Sequence, residues 1–116
     1  MKKLLIPSIF FVLLISFSFA QKPYKVVFYN LENFFDTIND PEVLDDEFTP
    51  DGPKKWNTAK YNKKLNNTER VLFDIAAIDK NYPIVIGVSE VETRGVLEDI
   101  VATPKLAPAN YRIAHF

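Results

Sequence analysis

Two short apolar runs on either side of one amphipathic segment constrain the fold of this 116-residue chain most strongly. Residues 26–29 and 84–88 are rich in β-branched and aromatic side chains, the composition of buried strands. Between them, residues 57–79 repeat apolar side chains with helical spacing, and Asn57 or Thr58 can cap the start. Strand, helix and strand in this order predict a βαβ unit with parallel strands.

The rest of the chain extends this unit into an α/β fold. Residues 37–57 form a long loop that is rich in proline and in acidic side chains, and Phe48 and Trp56 favour its packing onto the domain. A second, shorter helix is predicted over residues 94–102, before Pro104. Residues 111–116 predict the start of a third strand.

The first twenty residues have the pattern of a signal peptide. Lys2 and Lys3 precede an apolar run over residues 4–19, and small residues at 18 and 20 fit a cleavage site after Ala20. The alternative is a membrane anchor, but this run is shorter than the roughly 20 residues that span a bilayer. We therefore expect an exported chain, periplasmic or secreted, that consists of residues 21–116 and has no integral membrane segment.

The charge and the absence of cysteine limit the classes of function. Without Lys2 and Lys3 the chain has 12 basic and 15 acidic residues, a net charge of about −3. Such a chain has no general attraction for nucleic acid, so a polyanionic substrate would need a local basic patch or a bound cation. The sequence contains no cysteine, which excludes disulfides and thiolate metal sites.

Polar side chains follow both predicted strands. Asn30 and Glu32 come after the first strand, and Ser89 and Glu90 after the second. Residues two apart on a strand point to the same side, and α/β sheets often bind ligands at the carboxyl ends of their strands. Mg²⁺ prefers oxygen ligands from one or two carboxylates, completed by water and phosphate. The pattern predicts a metal pocket with Glu90 and Glu32 as ligands and Asn30 as an orienting amide.

Simpler interpretations of the same residues stay open. Carboxylates at strand ends can be ordinary solvated groups, and Glu92 is either a second-shell group or a surface charge. The acidic run at 45–47 is typical of a solvated loop. His115, the only histidine, could transfer protons or serve a structural role.

Two motifs together resemble the endonuclease/exonuclease/phosphatase family. They are Tyr-Asn-Leu-Glu-Asn at 29–33 and Ile-Gly-Val-Ser-Glu-Val-Glu at 86–92. Exported bacterial members are also similar at 45–50 and 56–65. The resemblance implies a four-layer α/β sandwich and metal-assisted phosphoester hydrolysis with Mg²⁺ or Mn²⁺. It assigns a catalytic role to Asn30 and metal binding to Glu90 and Glu32, although Ser89 replaces the usual glutamine.

The resemblance also implies that residues 21–116 correspond to the N-terminal portion of such a domain. The family's Gly-Asp-Phe-Asn and Ser-Asp-His motifs, which supply the general base and a phosphate-binding histidine, do not occur in this sequence. We therefore expect a hydrolase portion that is inactive alone and monomeric in its full-length form. Its substrate would be nucleic acid, a phospholipid head group or a small phosphate ester. The alternative is a noncatalytic exported α/β module whose aromatic loop binds a partner.

Overall fold

The computed structural model describes residues 23–116, which form an α/β unit. The predicted signal peptide lies outside these residues. In chain order the elements are β1 (Val26–Phe34), a 3-10 helix (Asp46–Phe48), α1 (Thr58–Ala77), β2 (Val85–Val91), α2 (Arg94–Ala102) and a 3-10 helix (Ala107–Ala109). Both α-helices begin where the sequence predicts. Within residues 23–116, no helix is long and apolar enough to cross a bilayer.

β1 and β2 are parallel neighbours in a two-stranded sheet, which confirms the predicted βαβ unit. The regular register runs from Val26 opposite Val85 to Asn30 opposite Ser89. It then shifts, because the next pair is Phe34 with Val91. Three residues of β1, 31–33, therefore lie opposite the single residue Glu90 of β2. This bulge is where the polar motif residues are located.

The bulge corrects two details of the sequence prediction. Both strands continue beyond residues 29 and 88, so the polar residues lie within the paired strands and do not follow them. Glu32, Asn33 and Glu90 have left-handed backbone conformations, with φ of 52°, 60° and 57°. Simple alternation of side chains fails across such residues, so it does not place Glu32 beside Asn30 or Glu92 beside Glu90.

One face of the sheet is covered by the helices, and the core lies between them. Leu31 and Phe34 of β1 are buried against Leu72 of α1 and Val96 of α2. Tyr61 of α1 donates a 2.6 Å hydrogen bond to Asp99 of α2, which fixes the two helices together. Burial and this bond to Asp99 raise the pKa of Tyr61. The opposite face of the sheet exposes Val26 and Phe28.

The two ends of α1 are closed by side chains. Asn57 caps the start, because its side-chain oxygen accepts a hydrogen bond from the Lys60 backbone at 3.1 Å. At the other end, the Lys25 ammonium donates to the carbonyl of Ile75 in the last turn at 2.6 Å and to that of Asn81, beyond the helix, at 3.2 Å. A residue just before β1 thus anchors the end of the crossover helix.

The loop between β1 and α1 packs onto the domain through its aromatic residues. Phe48 stacks on Phe35 with ring centroids 4.2 Å apart, and the Trp56 indole donates to the Phe35 carbonyl at 3.0 Å. The prediction that Phe48 and Trp56 order this loop agrees with these contacts. Asp45, in contrast, is only 1% exposed, so the expectation of a solvated acidic run is wrong at this residue.

The expected third strand is not formed among the described residues. Residues 111–116 are held mainly by side chains: the Tyr111 hydroxyl donates to the Pro83 carbonyl at 2.8 Å, and Arg94 donates to the Ile113 carbonyl at 3.4 Å. A cavity of about 660 Å³ is lined by this segment together with β2 and α2. The paired strands of the described residues are β1 and β2 alone, and residues 111–116 have no strand assignment. The prediction of a strand here is wrong.

Candidate functional site

The Glu90 carboxylate is held by both sides of the β1 bulge. The Asn30 side-chain amide donates to Oε1 at 2.9 Å, and the Asn33 backbone N–H donates to Oε2 at 3.1 Å. Both Glu90 and Asn30 are exposed, so the carboxylate remains open to solvent. The structure therefore brings together Asn30 and Glu90, two of the residues that the sequence singles out.

Asn30 also shapes the bulge through its carbonyl oxygen. Its Oδ1 accepts a hydrogen bond from the Glu32 backbone N–H at 2.8 Å, which closes a turn of the kind that asparagine favours. The amide group is thereby fixed at both its oxygen and its nitrogen. These two contacts also identify which atom is oxygen and which is nitrogen, because only the nitrogen can donate to a carboxylate.

Lys64 of α1 lies under the bulge. Its ammonium donates to the Glu32 carbonyl at 2.6 Å and to the Asn33 carbonyl at 3.3 Å. It also lies 5.4 Å from the centroid of the Phe34 ring and 5.6 Å from that of Trp56. Burial lowers the pKa of Lys64, and the carboxylates of Glu32 and Glu90 partly oppose this shift.

Glu32 is exposed at the same edge, but its contacts differ from those predicted. Its backbone carbonyl binds Lys64, and its carboxylate lies close enough to Lys64 to act on the ammonium electrostatically. The sequence prediction paired Glu32 with Asn30 because residues two apart on a regular strand point to the same side. Glu32 has a left-handed conformation, so that rule does not apply to it. Glu32 therefore belongs to the site through its position in the bulge.

The partners of Glu92 differ from those of Glu90, because they lie in the loop after β1. It accepts a 2.8 Å hydrogen bond from the Asp36 backbone N–H. Burial raises the pKa of Glu92, and the nearby carboxylates of Asp36 and Asp45 raise it further, although the Asp36 N–H opposes the shift. Asp45 accepts from the Asp40 N–H through Oδ2, whereas its buried Oδ1 has no hydrogen-bond partner among residues 23–116. A proton on Glu92 would supply one.

His115, the remaining candidate, lies in the segment 111–116. It is exposed and lines the cavity beside β2. Within the part of the chain that the structure describes, no hydrogen bond joins it to Asn30 or Glu90.

The donor set fits a cation that keeps most of its water. Among residues 23–116, no three His, Cys, Asp or Glu side chains form a group that could enclose a metal ion. Mg²⁺, however, is commonly bound by one or two carboxylates, with waters and a substrate phosphate completing its shell. Each Glu90 oxygen accepts one hydrogen bond here and retains a further lone pair. Glu90, with Glu32 exposed at the same edge, could therefore hold such a hydrated cation.

Comparison with known proteins identifies the family. The family model described as the endonuclease/exonuclease/phosphatase family matches residues 25–116. No curated protein and no solved structure gave a significant match. The chain belongs to the endonuclease/exonuclease/phosphatase family, whose members are phosphoester hydrolases in general.

Sequence reasoning missed three contributors to the site. Lys64 lies in the predicted helix, and its position three residues after the inward-facing Tyr61 is a signal of partial burial. Asn33 contributes only its backbone, and no sequence pattern reveals that. Asp45 could have been suspected from the neighbouring Phe48, because an apolar anchor draws the adjacent loop inward.

Proposed function

We propose that this protein is an exported, divalent-metal-dependent phosphoester hydrolase. Membership of the family supports hydrolysis of a phosphoester, and the geometry of Glu90 supports metal dependence. The observation that carries the proposal is that both Glu90 oxygens are fixed by donors from β1 while the carboxylate stays exposed. A carboxylate held in this way loses little freedom when it binds a cation.

In this proposal each site residue has a defined task. Glu90 binds Mg²⁺ or Mn²⁺, Glu32 is a second ligand, and Glu92 supports the edge of the site by accepting a hydrogen bond from the Asp36 N–H. Asn30 orients Glu90 and has a second amide hydrogen that can meet a phosphate oxygen. The bound metal would stabilise charge on the phosphoryl oxygens. The substrate would be nucleic acid, a phospholipid head group or a small phosphate ester.

We further propose that residues 21–116 alone have no appreciable activity and that the full-length form is monomeric. Hydrolysis needs a group that activates water, and loss of a general base typically costs about 10²- to 10⁴-fold in rate. Neither of the family motifs that supply such a group occurs in this sequence. Metal binding is therefore the property to test in this chain.

The test measures Mn²⁺ binding by its paramagnetic broadening of backbone amide signals. The protein is purified from the exported fraction. If cleavage follows Ala20, its mass should be that of a chain that begins at Gln21. Mn²⁺ should broaden the amides of residues 89–91 first, and Glu90→Gln should remove this effect. Glu98→Gln is the matched control, because Glu98 is an exposed glutamate on α2 that is paired with Arg94. Equal broadening in Glu90→Gln and the unmodified chain would overturn the proposal.

The alternative function, a noncatalytic binding module, is less well supported than the hydrolase. It depends on the aromatic loop between β1 and α1. The loop's aromatic side chains pack on one another and on Phe35, the residue after β1, as the Phe35–Phe48 stack and the Trp56 hydrogen bond to the Phe35 carbonyl illustrate. Their contacts are thus those of an internal packing cluster. Addition of Mn²⁺ distinguishes the two functions. In a module without a metal site, the amide signals of residues 89–91 should not be broadened selectively.

A further inference from the structure

A single peptide group connects Lys64 to Glu90. The carbonyl of Glu32 and the N–H of Asn33 belong to the same peptide bond, which is planar and has its oxygen and hydrogen on opposite sides. The Lys64 ammonium donates to the Glu32 oxygen at 2.6 Å, and the Asn33 N–H donates to Glu90 Oε2 with an N···O distance of 3.1 Å. A cation and an anion therefore face the two ends of one rigid dipole.

The charges at the two ends favour the same orientation of this peptide plane. A positive group at the carbonyl and a negative group at the N–H both stabilise the dipole, and each polarises the group in a way that strengthens the other bond. Rotation of the plane would break both bonds at once. The orientation of the Asn33 N–H thus depends on Lys64 as well as on Glu90.

The backbone on either side of this peptide needs such support. Glu32 and Asn33 have consecutive left-handed conformations, at φ of 52° and 60°. For residues other than glycine this conformation costs on the order of 1 kcal/mol per residue. Lys64 offsets the cost by binding both carbonyls, and its ammonium also lies 5.4 Å and 5.6 Å from the ring centroids of Phe34 and Trp56.

We infer that Lys64 is a positioning residue, which holds the Glu32–Asn33 peptide so that its N–H fixes the Glu90 carboxylate for metal binding. The part that concerns metal rests on the proposed function. Lys64 does not need to contact metal or substrate, because it acts from the far side of the peptide plane. Groups that orient a metal ligand commonly change metal affinity by about 10- to 100-fold when removed.

Substitutions at Lys64 have distinct expected effects. Lys64→Met keeps a side chain of similar length but removes the donors, so we expect Mn²⁺ affinity to fall about tenfold. Lys64→Arg retains several N–H donors and should restore much of the affinity. Lys63→Met is the matched control, since Lys63 is the exposed neighbour on the same helix, and it should leave the affinity unchanged.

The experiment combines Mn²⁺ titration with hydrogen exchange at the Asn33 amide. In Lys64→Met that amide should exchange faster, whereas amides in the middle of α1 keep their protection. A purely structural role would instead lower protection throughout the domain. Unchanged Asn33 exchange together with unchanged Mn²⁺ affinity would overturn the inference, and so would a uniform loss of protection.

Two further results separate this inference from the proposed function. If the unmodified chain does not bind Mn²⁺, the proposed function fails, and Asn33 exchange alone decides the positioning role. If Lys64→Met does not fold, the unmodified chain still provides the test by NMR. A scalar coupling between Lys64 Nζ and the Glu32 carbonyl carbon, across their hydrogen bond, supports the inference, and its absence overturns it.

Discussion

The side-chain nitrogen of Asn30 lies 2.9 Å from Oε1 of Glu90, across the two parallel strands. The two residues are 60 positions apart in the sequence, so only the paired sheet brings them together. The bond joins the two family motifs at 29–33 and 86–92 directly. The contribution of this hydrogen bond to stability can be measured without any ligand.

A double-mutant cycle should detect this bond as a coupling in stability. Asn30→Ala and Glu90→Ala each remove one partner, and the double variant removes both. Because the bond is exposed, we expect a coupling of about 1 kcal/mol, the typical net value for a hydrogen bond. Urea unfolding of the four proteins measures it.

The control for this cycle pairs Asn30→Ala with Glu42→Ala. Glu42 is an exposed glutamate in the loop, so the effects of these two substitutions should add. A coupling of zero between Asn30 and Glu90 would mean that their hydrogen bond contributes nothing to the folded state.

Glu92→Gln should stabilise the protein at pH 7, by about 1 kcal/mol. Glutamine can still accept from the Asp36 N–H, and its amide can donate to the unpartnered Oδ1 of Asp45. Thermal unfolding of both proteins between pH 4 and pH 8 measures the difference. A less stable Glu92→Gln at pH 7 would contradict the expectation.

The sign of the pH dependence follows from the raised pKa of Glu92. Its folded-state pKa lies above its ordinary value of 4.5, chiefly because of burial, so the folded chain holds the proton more tightly. The contribution of Glu92 to stability is therefore largest below pH 4.5 and declines as the pH rises through the raised value. The advantage of Glu92→Gln should grow over this interval, while Glu98→Gln should show no such growth.

Lys25→Met should cost about 2 kcal/mol of unfolding free energy, because it removes a charged donor from the end of α1. The ammonium binds the carbonyls of Ile75 and Asn81 as well as Asp79 at 2.6 Å, and its side chain is 19% exposed. Urea unfolding measures the loss.

Asp79→Asn tests whether the carbonyl contacts or the ion pair dominate at this position. The Lys25 hydrogen bond is the main reason that the pKa of Asp79 is lowered, yet exposed ion pairs contribute little to stability. We expect Asp79→Asn to cost much less than Lys25→Met. Equal losses would assign the effect to the ion pair.

The sequence predicts the helices and the parallel sheet well because burial determines both. The apolar spacing through Leu72 and Ala76 defines α1, and these residues are buried as expected. The same reasoning places α2 at residues 94–102. Periodicity is a reliable signal where one face of an element must leave water.

The candidate site was predictable in composition but not in geometry. Asn30 and Glu90 meet because the strands pair, which the sequence indicates, whereas the bulge depends on contacts with Lys64 on another element. Glu32 and Glu90 have no intrinsic preference for the left-handed conformation that they adopt. Local sequence contains no signal for a conformation that tertiary contacts impose.

The parallel pairing of β1 and β2 also determines when the site can form during synthesis. After β1 leaves the ribosome, residues 35–84 must be added before β2 can pair with it. At roughly 5–20 residues per second this takes several seconds. Throughout that interval Val27 and Phe34 lack their partners Ile86 and Val91, so a nascent chain of this protein presents an unpaired apolar strand that chaperones can bind.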